Sequence, residues 1–549
     1  MGIYLNPGNQ QFIKDLNSPI YIDKTEMISC LNSILNTQRM YVSVSRPRRF
    51  GKSMAVNMLS AYYGRGADSR ELFKDRKLNR HDGWDKYLAA FDVIRLTLTD
   101  FIKSYSSMES SLERMQRLIA RDIKKAYEKV DYYDLNDIVQ TMGDVYADTG
   151  RQFVILIDEW DAVFRERKED KDGQKLYLDF LRSWLKDKPY VALAYMTGIL
   201  PIKKYGKHSA LNMFDEYSMT LPMQLARFTG FTEEEVRELC LEYGRDYDKI
   251  KEWYDGYLVS DIIPPDPGYD RQKRLDQPPA QQRYHLYSPL SVVQAVSTGL
   301  IRNYWNKTES YEALAEYIRM DYDGLKETVA VLMNGARVKT NLDHFQNDMT
   351  SFENRDDVLA LLVHLGYLGY DDQTEEIFIP NREILDEFKT STGTSEWQPV
   401  FESFRDSLKL LEATWQQDEK LVAEYLEQAH DKAANMTYNS EAALNYAIRY
   451  AYYAAQKYYT ILPELDTGKG YADVTFLPSP GFPDHPALVV ELKYEQGAQT
   501  GLDQIRNRNY PDRLAHYEGN ILLVAISYEK GASGNKPGFK HHTCRIQKV

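Results

Sequence analysis

The sequence predicts an α/β protein: a parallel sheet with helices on both faces, then a helical middle region, then a small C-terminal α/β domain. Three observations carry this. Short apolar, β-branched runs alternate with charged amphipathic stretches through the first part of the chain. The first of those runs enters a helical pattern through a loop containing Gly51. Strand and helix patterns then resume between residues 440 and 527. At roughly 150 residues per domain, 549 residues imply three or four domains, with expected boundaries 1–225, 226–400 and 401–549.

In chain order, Met40–Ser45 reads as a strand, Arg46–Ser53 as a loop and Met54–Tyr63 as a helix. Further strands are expected at Val93–Thr99, Phe153–Ile157 and Val191–Thr197, and an amphipathic helix at Met108–Val130. Asp261–Gln282 holds Pro264, Pro265, Pro267, Pro278 and Pro279 among polar residues, the composition of a mobile surface loop. Asp357–Tyr370, Asn381–Phe388 and Phe401–Ala434 read as helical, and Leu365–Tyr370 with Ile379–Asn381 as a helix, turn and β-wing. The last domain is expected to run helix Ser440–Tyr459, strands Tyr471–Leu477 and Ala487–Tyr494, helix Leu502–His516 and strand Asn520–Ser527.

Composition narrows the function classes. The net charge is −13 and 43% of residues are apolar, which excludes a disordered chain and a general polyanion binder, though not a local basic groove. Cys30, Cys240 and Cys544 lie far apart with no CxxC, so neither a disulfide framework nor a thiolate zinc site is expected and a reducing cytosol fits. The first residues carry no signal-peptide pattern, and no apolar run is long enough to span a membrane. Tyrosine is abundant, at 42 residues, and the cluster Tyr446, Tyr450, Tyr452, Tyr453, Tyr458 and Tyr459 reads as packing. His541-His542 near Cys544 reads as a polar tail.

A nucleoside triphosphate needs backbone N–H groups converging on its phosphates, a lysine for the β and γ oxygens, and a hydroxyl in the Mg²⁺ shell. Within Arg46-Pro47-Arg48-Arg49-Phe50-Gly51-Lys52-Ser53, the last three residues can supply all of these. The first glycine of GxxxxGK[ST] is replaced by Arg46, so a cationic surface turn is the competing reading. At Phe153–Glu159 an apolar strand ends in two acids: Asp158 can hold Mg²⁺ and Glu159 can polarise a water. The same pair could instead cap a helix. Thr197, ending another strand, could sense the γ-phosphate or merely begin a turn. Between Arg39 and Arg80 there are eleven basic and three acidic residues, which suits an anionic ligand near the loop. Lys203, Lys204 and Lys207 are further cations nearby.

The segments Tyr21-Ile22-Asp23-Lys24-Thr25, Arg46–Ser53, Leu156–Asp161 and Met196–Leu200 together resemble the predicted AAA-ATPase-like family of bacteria in order and spacing. The resemblance continues through Gly230–Val236, Trp253–Tyr257, Tyr287–Pro289 and Tyr304-Trp305. It implies ATP and Mg²⁺ as cofactors, with Arg46 a habit of the family. It also implies a helical, winged-helix-like middle region.

In the last domain, strand alternation puts Glu491 and Lys493 on one face, and Asp473 faces away from the apolar side of its own strand. If the two strands pair as a hairpin, two carboxylates and an ammonium converge. The carboxylates could then bind Mg²⁺ and the lysine could assist attack on a phosphodiester. A solvent-facing ion pair is the plainer reading. This pattern resembles the PD-(D/E)XK nuclease superfamily, and the resemblance adds Gln504 and Glu441 to Asp473, Glu491 and Lys493. The insertion Pro478–Pro486 is expected to shape substrate access.

These readings converge on a cytoplasmic ATPase joined to a Mg²⁺-dependent nuclease acting on DNA or RNA, with no membrane partner and a homo-oligomer left open. A nucleotide-dependent switch that binds without cutting is the competing class. A small-molecule kinase is a third.

Overall fold

The computed structural model describes residues 2–549 except 104–106, 203–210, 263–280, 306–309, 321, 323, 343–344, 346–348, 395–396, 433–447, 449–450, 467–470, 480, 507–513, 515–516, 518–519 and 530–540. The Pro-rich loop, Glu441, Tyr446, Tyr450 and the lysines at 203, 204 and 207 therefore lie wholly or mainly outside the described residues. The chain divides into two compact units, 1–317 with 339–387, and 318–338 with 388–549.

The first unit is built on a five-stranded parallel sheet: β1 (Tyr41–Ser45), β2 (Asp92–Thr97), β3 (Phe153–Asp158), β4 (Val191–Gly198) and β5 (Asp215–Tyr217), ordered β2-β3-β4-β1-β5. Every residue of β1, β3 and β4 is buried, as a parallel sheet with both faces covered requires. Helix Lys52–Tyr63 packs through Val56 and Leu59 with Val42, Val44 and Leu156 in one core. Ser45 pairs with Gly198, and Asp158 with both Thr97 and Thr197. The carboxyl ends of β1, β3 and β4 thus lie side by side, where open α/β sheets bind ligands.

Beyond that sheet, β6 (Phe231–Thr232), β7 (Tyr257–Ile262) and β8 (Gln281–Tyr287) form a small antiparallel sheet in the order β6-β8-β7. After β9 (Val338–Lys339) comes helix Arg355–Leu365, which ends at Gly366. The hairpin β10 (Gly369–Asp371) and β11 (Glu376–Phe378) follows. This is the expected helix, turn and wing. The helix expected to reach Tyr370 stops five residues earlier, because Gly366 adopts a φ of +88° and turns the chain. No other residue fits, since a Cβ there would lie 2.7 Å from the Pro47 Cβ.

Glu383, on helix Arg382–Ser391, ties this region together. Its Oε1 accepts the backbone N–H of Tyr304 at 2.6 Å and of Trp305 at 3.0 Å, and its Oε2 accepts the Ser291 hydroxyl at 2.8 Å. Burial raises its pKa from the ordinary 4.5 to about 7. With the folded value above the unfolded one, its stabilising contribution is complete below pH 4.5 and is lost as pH rises through 7. We therefore expect Glu383→Gln to reduce the stability difference between pH 5 and pH 8 by up to about 3 kcal/mol, measured by denaturant unfolding against the parent. An unchanged pH dependence would contradict this.

The second unit holds the mixed sheet β12-β13-β14-β15-β16: β12 (Tyr459–Asp466), β13 (Tyr471–Pro478), β14 (Ala487–Tyr494), β15 (Ile521–Tyr528) and β16 (His542–Lys548). Only β14 and β15 pair in parallel. Helices Gln398–Trp415 and Glu419–Lys432 cover the face bearing Val474, Phe476, Val490 and Leu492. Helix Ala498–Arg506 covers the face bearing Val489, Leu523 and Ala525. Two expectations are corrected. Tyr459 begins a strand instead of ending a helix, after a 3₁₀ turn at Tyr453–Lys457. The C-terminal residues are an edge strand, with Cys544 and His542 buried and His542 Nδ1 2.7 Å from Glu427 Oε2. Tyr452 and Tyr459 are buried, consistent with packing.

Candidate functional site

Between β1 and helix Lys52–Tyr63 the chain makes a tight loop, with φ +69° at Arg49 and +83° at Gly51. Gly51 is the residue before the helix, so the first helical amides lack intrahelical acceptors and face the cavity described below. The Lys52 side chain curls back, donating from Nζ to the carbonyls of Arg46 (3.0 Å) and Pro47 (2.7 Å). Burial lowers its pKa to about 8, with the Asp158 charge opposing. Asp158 has its pKa raised by burial and held back by the neighbouring Ser53 hydroxyl and by the Lys52 charge. An exposed serine hydroxyl beside a buried carboxylate is a donor set that suits a hard cation, and a cation would relieve the desolvation of Asp158.

Arg46 explains the missing glycine. Its φ lies outside the left-handed region, so a side chain there is unstrained. That side chain turns under the sheet, where Nη1 donates to Ser45 O and Tyr217 O at 2.9 Å, and burial lowers its pKa to about 10. Arg46 and Pro47 were expected to cradle phosphate; neither lines the cavity, and both serve as the loop's packing underside. Phe50 meets Tyr257 edge to face at 5.3 Å, and Arg49 Nη1 donates to the Tyr304 carbonyl at 3.0 Å. Arg48 is exposed at the rim.

A cavity of about 720 Å³ opens beside the loop, within the range of small-ligand sites. Lys52, Ser53, Asp158 and Glu159 form its polar end, while Ile20, Ile22, Phe228, Phe231, Leu290 and Val293 line it with apolar surface. Thr197 takes a different place from the one expected. It is fully buried and its hydroxyl donates to the Val44 carbonyl at 3.0 Å, so the cavity wall there is Gly198.

Two residues of the quoted motifs had been given no role. Lys24 lines the cavity and clasps Glu235 Oε2 at 2.6 Å and the Arg227 carbonyl at 2.7 Å. Asp161 is fully buried, and its Oδ2 accepts the amides of Ile199 and Leu200 at 3.0 Å, fastening the turn after β4.

In the second unit, β13 and β14 pair antiparallel, Val474 with Val490 and Phe476 with Leu488, a register that sets Asp473 across from Glu491. The Leu492 amide donates to Asp473 Oδ2 at 2.6 Å, and Lys493 Nζ lies 3.0 Å from Glu491 Oε1. Glu491 and Lys493 are buried beneath helix Ala498–Arg506, so the solvent-facing pair is not what forms. At Gly501 a Cβ would come within 3.3 Å of the Lys493 side chain. Gln504 is half-buried one turn further along that helix. Among the described residues no group of three or more His, Cys, Asp and Glu could hold a metal. The candidate set is therefore two carboxylates, which suits Mg²⁺ because that ion keeps several waters. The Pro478–Pro486 insertion sits at the other end of the hairpin, about 17 Å along the strand from Asp473.

Residues 9–206 match the family model described as Predicted AAA-ATPase, and residues 440–535 match that of the PD-(D/E)XK nuclease superfamily. These are the two families that the motifs resemble. The chain is 26% identical over 264 residues to an uncharacterized protein in the vnfD 5′ region of Azotobacter chroococcum mcd 1, covering 46% of this chain and 48% of that protein. It thus spans about half the length of the curated relative it matches. Among solved structures, it is similar to the Walker-type ATPase paby2304 of Pyrococcus abyssi, with 14% identity, 67% of this chain and 94% of that one covered, and a TM-score of 0.31. It is also similar to the Aeropyrum pernix ORC1 protein in complex with DNA, with 10% identity, 71% and 98% covered, and a TM-score of 0.26.

Proposed function

We propose that this chain binds and hydrolyses ATP in the first unit and that its nucleotide state controls Mg²⁺-dependent cleavage of DNA or RNA in the second. The observation that carries the reading is the polar end of the cavity. There the Lys52 ammonium, the first amides of a helix and a Ser53–Asp158 oxygen pair converge at the carboxyl edge of a parallel sheet.

In this reading the amides of Arg48–Ser53 and the Lys52 ammonium bind the triphosphate, and the apolar walls around Ile22 and Phe231 enclose the base. Ser53 and Asp158 would hold Mg²⁺, which supplies charge neutralisation on the β and γ oxygens. Glu159 orients a water for attack on the γ-phosphorus. In the second unit, Asp473 and Glu491 would hold Mg²⁺, a Lewis acid for the phosphodiester. Lys493, pinned by Glu491, steadies charge developing on the attacked phosphate, and Gln504 stands beside it on helix Ala498–Arg506.

The test is cleavage of plasmid DNA, single-stranded DNA and RNA with Mg²⁺ or Mn²⁺, with no nucleotide, with ATP or with ADP. We expect metal-dependent cutting whose rate differs by about tenfold between nucleotide states, a typical coupling. Cutting indifferent to nucleotide would remove the control. Nucleotide-dependent retention of nucleic acid without any cutting would favour the binding switch.

A further inference from the structure

Beside Lys24 and Lys103, a third cation at this cavity belongs neither to the phosphate loop nor to the basic run around it. Arg165, on the short helix Ala162–Glu166, lines the cavity with its side chain only 9% exposed. Its Nη2 lies 3.4 Å from Glu159 Oε2, and its Nε 3.2 Å from Asp161 Oδ2.

The two acids it bridges are unequal. Asp161 is fixed, being fully buried and bonded to the Ile199 and Leu200 amides. Glu159 has a side chain 39% exposed and stands on a left-handed backbone, φ +52°. At 3.4 Å its link to the guanidinium is longer than the 2.7–2.9 Å typical of strong charged pairs. Glu159 is therefore the partner that can be given up. Asp161 Oδ1, moreover, is buried and without a partner, an acceptor for the guanidinium fork if that fork turns.

We propose that Arg165 is an arginine supplied by the chain itself that reads the γ-phosphate. This rests on the ATPase reading above. A γ-phosphate between Lys52 and Glu159 offers Nη2 a more highly charged acceptor than Glu159. The guanidinium, anchored on Asp161, shifts to a γ-phosphate oxygen and releases Glu159. Glu159 then takes a proton from water as the water oxygen bonds to the γ-phosphorus. The bond from that phosphorus to the β,γ-bridging oxygen breaks, and its electron pair leaves with ADP. Arg165 stabilises the charge spread over the γ oxygens, a contribution of about 10³-fold or more in other phosphoryl-transfer sites. ADP lacks those oxygens and leaves Arg165 on Glu159. The same residue thus discriminates ATP from ADP.

The experiment uses the full chain and its Arg165→Ala and Arg165→Lys variants, with phosphate release and the binding of fluorescent ATP-analogue and ADP probes as readouts. Arg165→Ala should lower kcat by about 10²-fold or more. It should change KM only a few-fold and narrow the ATP-over-ADP preference. Should Arg165→Ala fail to fold, Arg165→Lys decides: it keeps the charge beside Asp161 and loses the fork, so it should bind ADP like the parent and still turn over slowly. Turnover within about threefold of the parent in the variant that folds, or equal loss of ATP and ADP binding, would overturn the proposal. A parent that releases no phosphate would instead sink the ATPase reading itself.

Discussion

Replacing Lys52 by alanine is expected to lower ATP turnover by at least about 10²–10³-fold, the scale seen when a preorganised charge donor is removed from a transition state. The ammonium is held over the Arg46 and Pro47 carbonyls and its pKa is drawn down to about 8 by burial, a penalty on its charge that a bound anion would offset. Phosphate oxygens would displace the two carbonyls and reverse the desolvation. The fold should survive, because alanine is the best helix former and position 52 opens a twelve-residue helix. The measurements are phosphate release, equilibrium binding of an ATP analogue and the melting temperature. Loss of turnover with a Tm within a few degrees of the parent is expected. A variant that still hydrolyses ATP would place the chemistry elsewhere.

The second large effect is expected in the other unit. Asp473→Asn keeps an acceptor for the Leu492 amide while removing one of the two facing carboxylates. Metal-dependent cleavage should fall by about 10²-fold or more, with ATP turnover unchanged within about twofold. Lys493→Met is a harsher companion: removing the ammonium 3.0 Å from buried Glu491 strands a charge, which commonly costs several kcal/mol. Pairing it with Glu491→Gln removes that uncompensated charge. Recovery of stability without recovery of cleavage would separate the structural from the chemical contribution. Cleavage by Asp473→Asn at the parent's rate would dismiss the two-carboxylate site.

Much of this was legible because the relevant information is local. Gly51, Lys52 and Ser53 are consecutive and form one loop-to-helix junction, and alternation along β13 and β14 puts Asp473, Glu491 and Lys493 on a common face. The pairing of those strands was only an assumption until their register was visible. What could not be read depended on neighbours distant in sequence. Thr197 lies at the carboxyl end of its strand, one residue before Gly198, yet its hydroxyl is taken by Val44 on the adjacent strand. Arg46 resembles an anion ligand until the Tyr217 carbonyl, 171 residues away, is seen to hold it. Arg165 lies four residues after Asp161, a helical spacing that was visible but common in charged chains. Only its burial against both acids distinguishes it. The C-terminal strand was missed because polar residues alternate along an exposed edge, leaving little apolar signal.

The central claim is a triphosphate wrapped by the main chain of residues 48–53, with its magnesium between Ser53 and Asp158. The most direct test is a crystal structure of the full chain with Mg²⁺ and a non-hydrolysable ATP analogue. The account predicts phosphate oxygens on the amides of Gly51–Ser53 and on Lys52 Nζ, with the metal touching Ser53 Oγ and facing Asp158. Nucleotide bound away from this loop, or a protein saturated with analogue whose cavity stays empty, would contradict it.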